Sequence, residues 1–185
     1  MQIITPQTRN TKESDETYPC IVYVQGSAWM KQNINAKLGL LARLSERGYV
    51  IAVVEYRHSG IAPFPAQAVD TRNAIRYVKL HAKEYKTDAN QMYVSGDICT
   101  IILNFAGKCR WSVNVSLPPV LMFHGTKDRI INPKVSVVVY EALKKYHKEV
   151  QLYMLEGADH GGSEFFSDKV LDIMEAFLQR IVSAS

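Results

Sequence analysis

The sequence predicts an α/β fold, a three-layer sandwich in which a mostly parallel sheet carries helices on both faces. Three observations predict it. Runs such as Cys20–Val24, Tyr49–Glu55, Val120–His124 and Val150–Leu155 are largely apolar or aromatic, as strands covered on both faces are. Between them lie segments whose apolar residues recur at helical spacing, so strands and helices alternate along the chain. The connections are short, and short alternation fits parallel strands joined by right-handed crossovers.

The elements follow in order. Gln2 to Ile4 can form a short edge strand, and the polar stretch from Arg9 to Thr17 reads as a surface turn. The strand Cys20–Val24 runs into Gln25-Gly26-Ser27-Ala28-Trp29. Small residues there let the backbone approach a ligand and offer free N–H groups, as an anion or oxyanion site requires. An ordinary tight turn is the competing reading. From Ala36 to Arg47, Leu40, Leu41 and Leu44 share a helical face, and Gly48 supplies a left-handed cap. After the strand Tyr49–Glu55, Pro63 and Pro65 precede a helix from about Ala66 to Lys83, with Ile75, Val78 and Ala82 facing inward. Met92, Tyr93 and Val94 read as a fully buried strand, Gly96 as an abrupt turn, and Ile98 to Phe105 as a short helix closed by Gly107.

Val120–His124 supplies the next strand, followed by Gly125-Thr126-Lys127-Asp128. Asn132 can cap a helix starting at Pro133, whose Val135, Val138, Val139, Ala142, Leu143 and Tyr146 keep a helical rhythm. The last strand, Val150–Leu155, leads into Glu156-Gly157-Ala158-Asp159-His160-Gly161-Gly162. A closing helix keeps Val170, Ile173, Met174, Phe177, Leu178 and Ile181 on one face. There is no internal repeat and no low-complexity tract.

With 185 residues, 47% of them hydrophobic, the chain is expected to form one domain, 1–185, that buries most of its apolar surface. No apolar run is long enough to span a bilayer, and the polar start lacks the basic-then-apolar profile of a secretory signal. As it stands the chain reads as soluble and cytoplasmic. The net charge of +4 is modest and the lysines and arginines form no block, which gives no support for nucleic acid or a membrane surface as a partner. Cys20, Cys99 and Cys109 are too few and too irregular for a disulfide framework or a zinc site. Reduced thiols and no metal are expected.

Three features fall just past the carboxyl ends of expected strands, where open parallel sheets place their ligands. They are the small-residue turn at Gly26, the acid Asp128, and His160 in a glycine-flanked loop. An acid that orients a histidine, which in turn takes a proton from a nucleophile, is the logic of triad catalysis. Taken singly, each residue reads more simply: an aspartate after a strand is commonly a turn or cap residue, and a histidine among glycines is commonly only exposed. Their joint order at strand ends favours the catalytic reading. Asp159 is the competing carboxylate, and its place beside His160 in a loop reads as a surface residue.

The pieces YVQGSAW, GYVIAVVEYRHSGIAPFPAQAVD, PPVLMFHGTKD and LEGADHGG span most of the chain. Together the sequence resembles the esterase branch of the α/β-hydrolases, especially the acetyl xylan and feruloyl esterase-like group, near hormone-sensitive-lipase-like and prolyl-oligopeptidase-like relatives. The resemblance implies a small ester or acylated carbohydrate as substrate and no cofactor. It also implies roles: Asp128 matches the triad acid, His160 the general base, and the backbone N–H groups near Ser27 and Ala28, with that of Cys99, the oxyanion hole.

Two departures qualify this. The family corner has the frame G-x-S-x-G, whereas this chain reads Gly96, Asp97, Ile98, Cys99, Thr100. Ile98 stands at the nucleophile position and has neither a proton to give up nor a lone pair, so covalent catalysis there is excluded. Cys99 comes one residue late, and Ser95 belongs to the preceding strand. The second departure is length. Between the corner helix and the acid strand the chain has only Lys108 to Leu117, and a parallel crossover takes about ten to twelve residues by itself. The expectation is therefore a truncated hydrolase fold with one family strand and the lid region missing, which would shift the acid strand by about one strand spacing, roughly 4.8 Å. Function is expected to be that of a carboxylic ester hydrolase with acid and histidine kept and the nucleophile lost. The alternative is an inactive hydrolase-fold binding protein or an internally deleted family member.

Overall fold

A computed structural model describes residues 1–7, 16–96 and 119–183. The corner from Asp97 to Gly107, with Ile98, Cys99 and Thr100, lies outside the described residues. So does the segment Lys108 to Leu117 on which the missing-strand argument rests. The chain divides into two compact units, Met1–Trp111 and Ser112–Ser185.

The first unit is built on a four-stranded sheet. Its strands are β1 (Gln2–Ile4), β2 (Tyr18–Val24), β3 (Val50–Val54) and β4 (Thr87–Gly96), in the spatial order β1-β3-β2-β4. β2, β3 and β4 are parallel and β1 is an antiparallel edge. Helices α1 (Leu38–Glu46) and α2 (Ala66–Leu80) form the crossovers. Because strand side chains alternate, Cys20, Val22 and Val24 share a face with Val50, Ala52 and Val54, and Val78 of α2 packs there with Ala74 and Ile75. Ile21, Tyr23, Ile51 and Val53 turn to the opposite face, where α1 lies against β3 and buries Leu41 and Leu44. β2 and β3 are apolar along their length because both faces are covered. Gly48 ends α1 at φ +90°, the left-handed conformation a cap needs.

Two expectations for this unit change. The helix expected to reach Lys83 stops at Leu80, and its most deeply buried residues include Gln67 and Thr71 as well as Val78. Gln67 is buried because its amide Nε2 donates to the carbonyls of Arg57 (2.9 Å) and Ala62 (3.1 Å), which apolar periodicity cannot register. The run Met92–Val94 is not fully buried: among the described residues β4 pairs with β2 on one side only, and Val94 is 46% exposed.

The second unit contains the parallel pair β5 (Val120–Gly125) and β6 (Val150–Leu155), in register from Val120 opposite Val150 to Gly125 opposite Leu155. α3 (Lys134–Lys145) connects them, and α4 (Asp168–Ser183) closes the chain after a short 3-10 turn, Ser163–Phe166. Val120, Met122 and Val150 pack with Val139, Tyr140 and Leu143 of α3. Of the residues expected to share the helical rhythm, Val139 and Leu143 pack here, whereas Val135, Val138 and Tyr146 are exposed. Valines at 135, 137, 138 and 139 surround the helix and leave periodicity undecided. Ser136, fully buried by a polar contact, fixes the face. Asn132 Oδ1 accepts the N–H of Lys134 at 3.0 Å, so its capping role is met one step outside the helix. No helix among the described residues is long and apolar enough to cross a membrane.

Candidate active site

The turn after β2 is held from beneath by side chains. Gln32 Nε2 donates to the Gln25 carbonyl at 2.7 Å while its Oε1 accepts the Tyr56 N–H at 2.8 Å, which ties the end of β2 to the end of β3. The Ser27 hydroxyl donates to the Met30 carbonyl at 2.5 Å, so the Tyr56 hydroxyl, 2.8 Å away, is left to donate to Ser27 Oγ. Ser27 is therefore a structural hydroxyl with its proton committed. Ala28 and Trp29 have φ of +48° and +67°, in the left-handed region that costs a non-glycine residue about 1 kcal/mol or more. Among the described residues no acceptor takes the N–H of Ala28 or Trp29. A strained turn clamped by three hydrogen-bonding side chains, with N–H groups unspent, can receive a partial negative charge. Nearby, Arg57 grips Asp70 of α2 through Nε and Nη2, and the guanidinium holds that carboxyl below its ordinary pKa.

The second unit brings Asp128 and His160 together. The loops after β5 and β6 are laced by backbone bonds: Thr126 donates to Leu155 at 3.0 Å and Lys127 to Ala158 at 2.9 Å. The Thr126 hydroxyl accepts the Gly157 N–H at 2.9 Å. Gly125 is where the loops touch most closely. A methyl group on it would come within 2.3 Å of the Ala158 carbonyl oxygen and 2.4 Å of that of Asp159. Backbone atoms cannot yield as a flexible side chain can, so Gly125→Ala is expected to lower stability by about 1–3 kcal/mol. Urea unfolding measures this; an unchanged midpoint would contradict the close approach.

Within this frame Asp128 is saturated with donors. Its Oδ1 accepts the N–H groups of Ile130 at 2.9 Å and Ile131 at 2.8 Å, and its Oδ2 accepts His160 Nδ1 at 2.8 Å. Burial by itself would raise the Asp128 pKa, but the Ile131 N–H, His160 and the Ile130 N–H together outweigh it and hold the carboxyl below its usual value. A carboxylate can only accept, so His160 carries its proton on Nδ1 and Nε2 keeps a lone pair. The Asp128 side chain is 4% exposed and that of His160 34%. A buried anion thus orients a ring that reaches solvent, where a cavity of about 400 Å³ is lined by His160, Gly161, Asp159, Arg129 and Ile130. The pair can take up a proton from a group in that cavity.

Asp159 is more than the surface residue expected. It accepts the backbone N–H of Arg129 at 3.0 Å, Arg129 Nε at 2.7 Å and the N–H of His160 at 2.8 Å. It therefore does not compete with Asp128 for the imidazole but braces the main chain on either side of it. The Arg129 guanidinium, then the two backbone N–H groups, pull its pKa down to about 2. A depressed acid contributes stability that is present above its unfolded pKa of about 3.9 and is lost as pH falls toward 2. Because the pair is exposed the contribution is small. The urea midpoints of the native chain and Asp159→Asn should therefore differ at pH 5 and converge by pH 2; a constant gap would exclude the ionic contribution.

Sequence reasoning missed His124 and Ser136. The His124 ring is 1% exposed, with Nδ1 2.5 Å from Ser136 Oγ and Nε2 2.9 Å from Asp128 Oδ2. A histidine at the end of an apolar strand gives no local sign of such a partner. Of the other expected site residues, Ser27 and Ala28 lie in the turn of the first unit, and Ile98 and Cys99 lie outside the described residues. Among the described residues no group of three or more His, Cys, Asp or Glu side chains could hold a metal ion.

Parallel strands joined by helices, and an aspartate–histidine pair past the ends of two strands, are features of the α/β-hydrolase superfamily. Within that superfamily the chain belongs to the BD-FAE family, whose model matches residues 1–98. The prolyl oligopeptidase family model matches residues 108–185. A probable carboxylic ester hydrolase of Mycobacterium tuberculosis, LipM, is 30% identical over 81 residues, 43% of this chain and only 19% of the relative. Among solved structures, a truncated carbohydrate esterase from gut microbiota superposes with a TM-score of 0.81 at 19% identity, covering 98% of this chain and 90% of that one. A thermophilic esterase of the planctomycete Thermogutta terrifontis, bound to propionate, gives 0.77 at 20% identity, covering 97% and 88%. At such identities the superpositions speak for the fold. The same Thermogutta esterase has been solved phosphorylated by paraoxon, with a TM-score of 0.72 at 21% identity, covering 97% of this chain and 87% of that one.

Proposed function

We propose that this chain is an ester-binding member of its family that keeps the acid and base of a serine esterase but has lost the covalent step. The observation that carries this reading is the Asp128–His160 contact of 2.8 Å through Nδ1, set against isoleucine at position 98. Asp128 acts as the orienting acid and His160 as the base. The Ser27–Ala28 turn has the oxyanion role that the family resemblance gives it. Without an attacking hydroxyl, His160 can at most deprotonate a water, so any hydrolysis proceeds by direct attack of that water and forms no acyl-enzyme. The substrate class is a small carboxylic ester, and an acylated carbohydrate is the natural choice within this family. We further take the two compact units to belong to one hydrolase domain.

Paraoxon tests the missing covalent step. The Thermogutta esterase is phosphorylated by it, whereas this chain is expected to show no mass increase after incubation. A single adduct on a residue other than an incidental lysine or tyrosine would mean that a nucleophile is present. Steady-state release of p-nitrophenol from its acetate, if any, should show no burst and should fall to background with His160→Ala; turnover unaffected by that change would end the role assigned to the pair.

A further inference from the structure

The buried ring beneath the acid has no part in that reading, and its surroundings give it one. His124 is the penultimate residue of β5, and its side chain is 1% exposed, so it cannot touch a substrate. Its Nε2 faces two groups that only accept, the Ile131 carbonyl at 3.1 Å and Asp128 Oδ2 at 2.9 Å. Nε2 must therefore carry a proton. A bare nitrogen there would set a lone pair against a carbonyl and a carboxylate without water to separate them, which is unfavourable in a buried site. Nδ1 is then the acceptor for the Ser136 hydroxyl at 2.5 Å, and Ser136 is itself 1% exposed.

The chain of contacts closes on the site. His124 holds the carbonyl of Ile131, and the N–H of the same residue donates to Asp128 Oδ1 at 2.8 Å. The protonated edge of the ring also lies against Oδ2, the oxygen that accepts His160. We propose that His124, held in its Nε2–H tautomer by the Ile131 carbonyl and the Asp128 carboxylate and braced through Nδ1 by Ser136, is a positioning residue that fixes both the loop cradling Asp128 and the oxygen that orients His160. This rests on the Asp128–His160 reading above. Among the described residues, the titratable groups paired with Asp128 are His124 and His160, and Arg129 is engaged with Asp159. Removing the ring should therefore release His160 as well as loosen the strand end.

The full chain labelled with 15N-histidine tests this directly, with the ring signals of the five histidines assigned by single substitutions. In the native protein at neutral pH, His124 should be protonated on Nε2 with a bare, hydrogen-bonded Nδ1, and His160 should be protonated on Nδ1 with a downfield proton. His124 found as the Nδ1–H tautomer would overturn the proposal without any variant. His124→Phe combined with Ser136→Ala removes the ring N–H without stranding the hydroxyl. There the downfield proton of His160 should be lost and its ring should drift to the mixed tautomers of an exposed histidine, whereas His124→Gln, which can keep a donor near Asp128, should retain most of the signal. A folded double variant with an unchanged His160 would refute the positioning role and leave the Asp128–His160 pair intact. Absence of the Nδ1 proton from His160 in the native protein would remove both.

Discussion

Ile98→Ser combined with Thr100→Gly is expected to raise ester turnover by on the order of a hundredfold or more and to create a paraoxon-reactive site. In serine hydrolases, removal of the nucleophile alone costs on the order of 10⁶ in kcat, and what survives comes from the oxyanion donors and binding. On the reading proposed above, with Ile98 at the nucleophile position, this chain is expected to stand at that residual level. The acid and base proposed above, Asp128 and His160, already meet at 2.8 Å through Nδ1, which leaves Nε2 as the nitrogen to take the proton of a new serine. Restoring glycine at position 100 re-creates the small-residue frame in which a corner can expose its nucleophile. Full recovery is not expected, because catalytic geometry tolerates little error. Ile98→Ala with Thr100→Gly is the control and should gain nothing. The rise should disappear when His160→Ala is added. Release of p-nitrophenol and intact mass after paraoxon give two independent readings, and a folded variant that neither turns over nor reacts would show that more than the nucleophile has been lost.

What could be read from the sequence, and what could not, follows the range of the forces involved. β2 and β3 are long apolar runs covered on both faces, so composition alone located them to within a few residues. Asp128 and His160 were legible because each follows a strand and the two occur in a recognisable order, and their partnership appears at 2.8 Å. The polar contacts beneath the site were not legible. His124 and Ser136 are 12 residues apart, and nothing in VLMFHG or PKVSVVV states that the imidazole and hydroxyl meet. Periodicity places Val139 and Leu143 of α3 correctly but cannot foresee that Ser136 is buried while Val135 and Val138 are exposed. Asp159 is at the surface, as its place in the loop suggests, but no local pattern shows that its carboxylate holds Arg129, 30 residues away in sequence. Pairings of this kind are fixed by the close approach of two loops, which Gly125 permits and no local pattern encodes.

Asp128→Ala should be the most destabilising single change at the site, by about 2–4 kcal/mol. The carboxylate accepts two backbone N–H groups and one imidazole N–H, with a second imidazole N–H against it. Its removal leaves several donors without a partner in a place that is 4% exposed, and hydrogen bonds to a charged acceptor are the costly ones to lose. For a chain of this length such a loss lowers Tm by roughly 5–15 °C. Asp128→Asn separates the two roles of the residue. The amide oxygen can still accept from Ile130 and Ile131, so most of the stability should remain, but the amide nitrogen then faces His160 with a donor where an acceptor is needed, and the Nδ1–H tautomer should be lost. The pH dependence has a definite sign. Because the folded pKa of Asp128 lies below its ordinary value, the stability it contributes is complete above about pH 4 and is lost on further acidification. The Tm difference between the native chain and Asp128→Ala should therefore be greatest near neutrality and shrink as pH falls below 4. A difference that stays constant to pH 2 would mean that the side chain matters there for its volume and not for its charge.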